Sequence, residues 1–190
     1  MSVRDHPTME LLHSERIIVR PWRDNDADRV LDMLSLMEVV RWIDDDPQPL
    51  RTREQALGKI SEWRQQTDAR RGVGFWAVEE IGRAHAAGTV LLTDVPNSDG
   101  LIQIGWHLHP DSWGRGLARE AAAGVLTHGF AHGIDPIHAL MFTDNDPSVK
   151  VCRAIGMRDE GIINDQWYPG PSRHFVMTAA DYCARSGARL

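Results

Sequence analysis

At 190 residues, 42% of them hydrophobic and 25% charged, the chain has ordinary globular composition and enough length for one domain with a substantial core. A net charge of −6 opposes non-specific nucleic-acid binding, no uncharged stretch approaches the roughly 20 apolar residues of a membrane span, and Met1–Pro7 lacks the apolar core of a secretion signal. With only Cys152 and Cys183 and no Cys-x-x-Cys pair, neither a disulfide framework nor a zinc knuckle is written in, so a soluble cytoplasmic protein is expected.

Residues 1–9 are polar and aperiodic and read as a flexible end. Leu12 to Val19 is rich in Ile and Val and is predicted as one strand, stopped at Pro21, which has no N–H for a ladder. Asp24 or Asn25 then caps a helix with Ala27, Val30, Leu31, Leu34 and Met37 on one stripe. Two prolines and three acids break the pattern in Trp42-Ile43-Asp44-Asp45-Asp46-Pro47-Gln48-Pro49. Thr52 starts a second helix that turns Ala56, Leu57, Ile60 and Trp63 inward. Gly74–Val78, Ala86–Thr93 and Leu101–Leu108 read as strands, and their short links make them an antiparallel meander.

The last of these strands runs into His109-Pro110-Asp111-Ser112-Trp113-Gly114-Arg115-Gly116-Leu117-Ala118-Arg119-Glu120-Ala121. Gly114 and Gly116 carry no Cβ, so backbone amides there can lie against a bulky anion, and the helix that follows adds unpaired donors and a positive dipole end. Leu117-Ala118 in place of Lys-Ser/Thr excludes a Walker loop, and two glycines rather than three, deep in the second half of the chain, exclude a dinucleotide fingerprint. What remains is a pyrophosphate held by backbone alone, or a tight strand-to-helix turn that uses the same glycines.

Ala118, Ala121, Ala122 and Gly124 let the next helix sit close on a sheet, and Ile137–Thr143 reads as a buried strand. Strand, helix and strand make a right-handed crossover with parallel strands, so the sheet is expected to be mixed. Asp144 or Asp146 caps a helix from about Ser148 to Ile155, ended by Gly156. Glu160–Ile163 and Arg173–Thr178 are the last strands, parted by a turn over Trp167–Pro171, and residues 183–190 read as a flexible tail.

Ile104-Gly105-Trp106 before the glycine turn, Trp113-Gly114-Arg115-Gly116-Leu117-Ala118 within it and Glu120-Ala121 after it resemble motif A of the GNAT acetyltransferases, in the ribosomal-protein N-terminal acetyltransferase branch. Ser14–Pro21 is similar to that branch's opening strand, and Asn145-Asp146-Pro147-Ser148, with Val151 and Ile155-Gly156-Met157, to its motif B. The likeness spans residues 10–182 and implies a single α/β (mixed α+β) GNAT-like domain: a central, mixed, mostly antiparallel sheet with helices on both faces and a β-α-β cofactor unit. The implied activity is acetyl-CoA-dependent transfer of an acetyl group to a primary amine, either a protein N-terminus or a small cationic amine, by direct attack in a ternary complex, in a monomer or homodimer. A non-catalytic acyl-CoA-binding module of the same fold is the other reading of these motifs.

The resemblance also implies where the cofactor lies: between Leu101–Leu108 and Ile137–Thr143, with backbone near Leu108 on the pantetheine arm. Trp113 and the amides of Gly114, Arg115, Gly116, Leu117 and Ala118 then meet the pyrophosphate. Asn145 contacts the cofactor and Ser148 sits near the thioester sulfur, although Asn-x-x-Ser before a helix is also a capping arrangement. The position four after Ser148, a tyrosine acid in many of the family, is Cys152, and the position two before Gly105, often a glutamate base in this branch, is Gln103.

Ser148 and His107 are therefore the candidate acid and base. His107 shares a strand face with Gln103, Gly105 and His109, equally suits a half-buried structural role, and leaves water-mediated deprotonation open. Trp42 with Asp44, Asp45 and Asp46 is a candidate acceptor loop for a cationic amine, or a solvated acidic turn. The pairs His107/His109 and His128/His132 come without an adjacent Glu or third ligand, so no metal is expected.

Overall fold

The computed structural model describes residues 10–164 and 168–187, so the flexible end read into residues 1–9 lies outside the described residues. Two strands, β1 (Leu12–His13) and β2 (Ile17–Pro21), replace the single strand expected over residues 12–19, with Leu12 opposite Val19. Ser14 folds the chain back: its Oγ accepts the amides of Arg16 (3.2 Å) and Ile17 (3.0 Å).

Helix α1 (Ala27–Leu34) follows a 3₁₀ turn over Asp24–Asp26, and neither Asp24 nor Asn25 caps it. Instead Asp26 accepts the Arg23 amide at 2.8 Å. The expected stripe ends early, because Leu36 is extended (φ −87°, ψ 116°) and starts a separate helix α2 (Met37–Val40). Met37 is thereby 52% exposed, and Met33 stands in the core in its place. Helix α3 (Arg53–Gln65) begins as read, with Thr52 Oγ1 accepting the Gln55 amide and Gln55 Oε1 accepting the Thr52 amide at 3.1 Å.

The meander is present as β3 (Gly74–Glu80), β4 (Ala86–Asp94) and β5 (Ile102–Leu108), followed by α4 (Leu117–Ala131), β6 (Ile137–Phe142) and α5 (Asp146–Ile155). Asn145, not Asp144 or Asp146, caps α5, its Oδ1 taking the Ser148 amide at 3.2 Å. Strands β7 (Arg158–Ile163) and β8 (Ser172–Met177) close the sheet. Helix α6 (Ala179–Ser186) then occupies the first part of the expected tail, and Thr178 caps it by accepting the Asp181 amide at 3.1 Å.

The eight strands run β1-β2-β3-β4-β5-β6-β8-β7, and among these pairs only β5–β6 is parallel. On one face α4 and α5 bury Leu117, Val125, Leu126 and Cys152 against Ile104, Leu108, Ile137 and Phe175. On the other, α1 and α3 bury Val30, Met33, Ile60 and Trp63 over Ala77 and Ala86. The predicted mixed, mostly antiparallel sheet with helices on both faces is thus observed.

Gly88 is where β4 presses hardest on β5. A Cβ there would lie 2.4 Å from the His107 carbonyl oxygen and 2.5 Å from Leu108 Cα, and both of those are backbone atoms that cannot swing aside. Gly88→Ala is expected to destabilise the fold by about 2 kcal/mol and lower Tm by about 6 °C, read by thermal unfolding against the parent.

Candidate functional site

The site begins where β5 and β6 part. They pair only at Ile102 with Ile137 and Gln103 with His138, and beyond Gln103 the strands diverge. The His109 amide donates to the Ala87 carbonyl at 2.9 Å, while Leu108 stands opposite Gly88. Gly88 and Leu108 are therefore a non-hydrogen-bonded pair, and the amide and carbonyl of Leu108 point away from β4 into the divergence. A cavity of about 820 Å³ fills that gap.

The glycine turn forms one end of the cavity. Gly114 (φ +70°) and Gly116 (φ +78°) hold left-handed backbone, and a Cβ built on either meets nothing within 4 Å. Gly116 is the N-cap of α4 and offers no side-chain acceptor, so the first amides of the helix face an open, positively polarised space. Such a turn fits a pyrophosphate. Trp113 is 47% exposed at the mouth, and its Nε1 donates to the Leu108 carbonyl at 2.8 Å.

Trp113, Gly114, Gly116, Leu117 and Ala118 line the cavity, and Arg115 does not. The Arg115 side chain is drawn off to an ion pair with Glu80, and its carbonyl accepts from Arg16 at 2.7 Å. Arg119 and Lys150 also line the cavity as exposed cations, and among the described residues neither is paired with a carboxylate. Sequence reasoning passed over both, because a cation on a helix carries no signal of its direction.

Asn145 and Ser148 both line the cavity. Asn145 is buried and meets the capping reading, while the Ser148 side chain is left half-buried on the cavity wall. Cys152 faces the core, and burial pushes its thiol up to about 12, which removes it from proton transfer near neutrality. His107 lines the cavity too, but its ring lies 5.9 Å from that of Trp63 and its Nε2 is buried without a partner. Burial, aided by the charge of Lys59, holds this imidazole down at about 4.

The remaining wall is built from connections. Trp42, Asp44 and Asp45 of the α2–α3 link line the cavity, whereas Asp46 is turned to Gln48, whose Nε2 donates to it at 3.1 Å. Arg41 sits 4.3 Å over the Trp42 ring, which also approaches Phe142 at 6.3 Å. Opposite, Tyr168 lines the cavity from the β7–β8 connection, and Gln103 Nε2 donates to its hydroxyl oxygen. The sequence offered only a turn there, since no local pattern links residue 103 to residue 168. The other candidate metal imidazoles lie apart: His109 is 3.2 Å from Asp32, and His128 lies against His132 with ring centroids 4.2 Å apart and tilted at 43°. Among the described residues no three His, Cys, Asp or Glu side chains converge on a metal position, and no helix is long and apolar enough to cross a membrane.

A diverging parallel strand pair with an uncapped, glycine-opened helix at its mouth is an α/β site suited to a pyrophosphate-bearing ligand, and the family match makes it an acyltransferase site for coenzyme A. The chain belongs to the acetyltransferase (GNAT) domain family, whose profile matches residues 16–158, and it is an N-acetyltransferase that uses acetyl-CoA. An uncharacterized N-acetyltransferase, YoaA of Bacillus subtilis (strain 168), is 28% identical over 159 residues, covering 83% of this chain and 88% of that protein. Among solved structures, a GNAT-family acetyltransferase from Bacillus anthracis superposes with TM-score 0.71 at 23% identity, over 88% of this chain and 97% of that one. RimL, a ribosomal L7/L12 α-N-protein acetyltransferase in complex with coenzyme A, does so with TM-score 0.73 at 16% identity, over 92% and 99%. These structures share the fold.

His107 carries a pH prediction. Its folded pKa, about 4, lies below the usual 6.5, so the unfolded chain binds the extra proton and stability falls as pH drops from 6.5 toward 4. The loss is expected to reach about 2 kcal/mol by pH 5 and to be absent from His107→Gln, as measured by denaturant unfolding at pH 7 and pH 5.

Proposed function

We propose that the protein acetylates a primary amine, a protein N-terminus or a small cationic amine, by direct attack in a ternary complex. The divergence of β5 and β6 beside the uncapped start of α4 carries this reading. Acetyl-CoA supplies the acyl group as a thioester. The amides from Gly114 to Ala118 hold its pyrophosphate, Arg119 and Lys150 add positive charge beside them, and the Leu108 amide polarises the acyl carbonyl.

The Ser148 hydroxyl donates to the leaving sulfur as charge develops on it. Serine is a weak acid, so this contribution is modest. His107 is neutral at pH 7 and a weak base at best, so the amine proton passes to His107 or to water. Asp44 and Asp45 draw a cationic acceptor to the mouth beside Trp42. Two unpaired cysteines suit a reducing, cytoplasmic setting, with the chain acting as a monomer or homodimer.

CoA at a hundredfold excess over Kd is expected to stabilise the protein by about 2.7 kcal/mol, seen as a rise in Tm, and Gly116→Glu should abolish the rise. Release of CoA with an amine panel tests catalysis: thermal protection without release would mean a non-catalytic acyl-CoA-binding module. With a working acceptor, Ser148→Ala should lower kcat about tenfold and leave the acetyl-CoA KM unchanged. Changing Asp44 and Asp45 together to Asn should raise the KM of a cationic acceptor several-fold, an effect that shrinks at high salt.

A further inference from the structure

The turn over residues 109–112, which delivers β5 into the glycine turn, is held from outside by one side chain of α1. Arg29 has a side chain only 9% exposed and spends its donors on three different partners. Its Nε donates to the Ala86 carbonyl at 2.7 Å, its Nη2 to Asp111 Oδ1 at 2.7 Å and its Nη1 to Asp32 at 3.3 Å. His109 closes the ring: its Nδ1 accepts the Asp111 backbone amide at 3.2 Å and its Nε2 lies 3.2 Å from Asp32. Ser112 Oγ donates to the same Asp111 oxygen at 2.7 Å.

This ring ties the turn that leads into the cavity to helix α1. Ser112 and Trp113 belong to the cofactor side, and Ser112 is bonded directly to Asp111. Helix α1 leads through α2 into Val39, Trp42 and Ile43 on the other side. We propose that Arg29, acting through Asp111, is a positioning residue that sets the cofactor-binding turn, and hence affinity for CoA, against the helical layer that carries the acceptor wall. The inference rests on the acetyl-CoA reading of the cavity. An exposed ion pair alone would contribute little, but the Arg29 side chain is only 9% exposed, and its fork ties the start of β4, the turn and α1 together at once.

Isothermal titration of CoA into the parent, Asp111→Asn, Arg29→Gln and the double variant tests this, with ligand-free Tm measured alongside. Each single substitution is expected to raise Kd about tenfold, and the double no further than either single, because the two residues act through one contact. The half-exposed Asp111→Asn should keep its ligand-free Tm within about 2 °C of the parent. A lowered Tm with parental Kd would reduce the ring to a structural brace and overturn the proposal, as would additive effects in the double variant. Should Arg29→Gln fail to fold, parental Kd in Asp111→Asn is enough to overturn it. If the parent binds CoA and the variants bind alike, only this proposal fails; if the parent binds no CoA, the acetyl-CoA reading fails with it.

Discussion

Backbone amides and carbonyls inside a sheet need partners, and β5 loses its neighbour on one side after Gln103. Everything that makes the site follows from that loss. The groups of Leu108 that β6 would have satisfied face an open gap, and the chain covers one of them itself, placing the Trp113 indole on the Leu108 carbonyl. The amide beside it stays turned to the cavity. A substrate arm that offers a carbonyl there extends the sheet in place of the missing strand, so recognition reuses the same hydrogen-bonding rule that holds the fold. Gly88 serves this arrangement from the other side, since only a residue without Cβ lets β4 hold Leu108 so closely.

Much of this was legible in the sequence, for reasons that differ by residue. Gly114 and Gly116 stand out because left-handed backbone at a strand-to-helix turn nearly demands glycine. Helix α3 was readable because Thr52 and Gln55 cap each other locally. The failures came where the deciding contact was distant or the local signal was misjudged. Ser14 breaks the first strand with bonds to Arg16 and Ile17, which alternation of apolar residues conceals. At α5 the Asn-x-x-Ser pattern names the cap, because the Asn145 carbonyl reaches the Ser148 amide, and the neighbouring Asp144 and Asp146 only compete with it in the sequence. Thr178 and Asp181 formed a visible cap that the polar composition of the tail obscured. Tyr168 and Arg29 could not be found this way, because their partners lie 65 and 82 residues away in the chain.

The chemical groups of the site are spare. Cys152 is sealed into the core, Gln103 is occupied with Tyr168, and His107 is held neutral against Trp63. Burial that lowers the His107 pKa leaves a ring free of its proton at neutral pH yet poorly able to gain one. On the proposed reading, rate acceleration comes chiefly from alignment and from fixed backbone dipoles, both of which depend on the rigidity of the sheet and of the turn that follows it.

The two halves of the cavity are made of different material. In the proposed reading the cofactor half is mainly backbone: amides of a turn and of a strand edge, placed by glycine and sheet register and braced from outside by Arg29. The wall proposed to meet the acceptor is side chain, carried on the connections around Trp42 and Tyr168. Replacement of those side chains leaves the hydrogen bonds of the sheet untouched, so on the proposed reading descendants of this chain are free to change acceptor while keeping one acyl donor. Divergence within such a lineage is expected to collect in two short stretches of sequence and to spare the strand and helix between them.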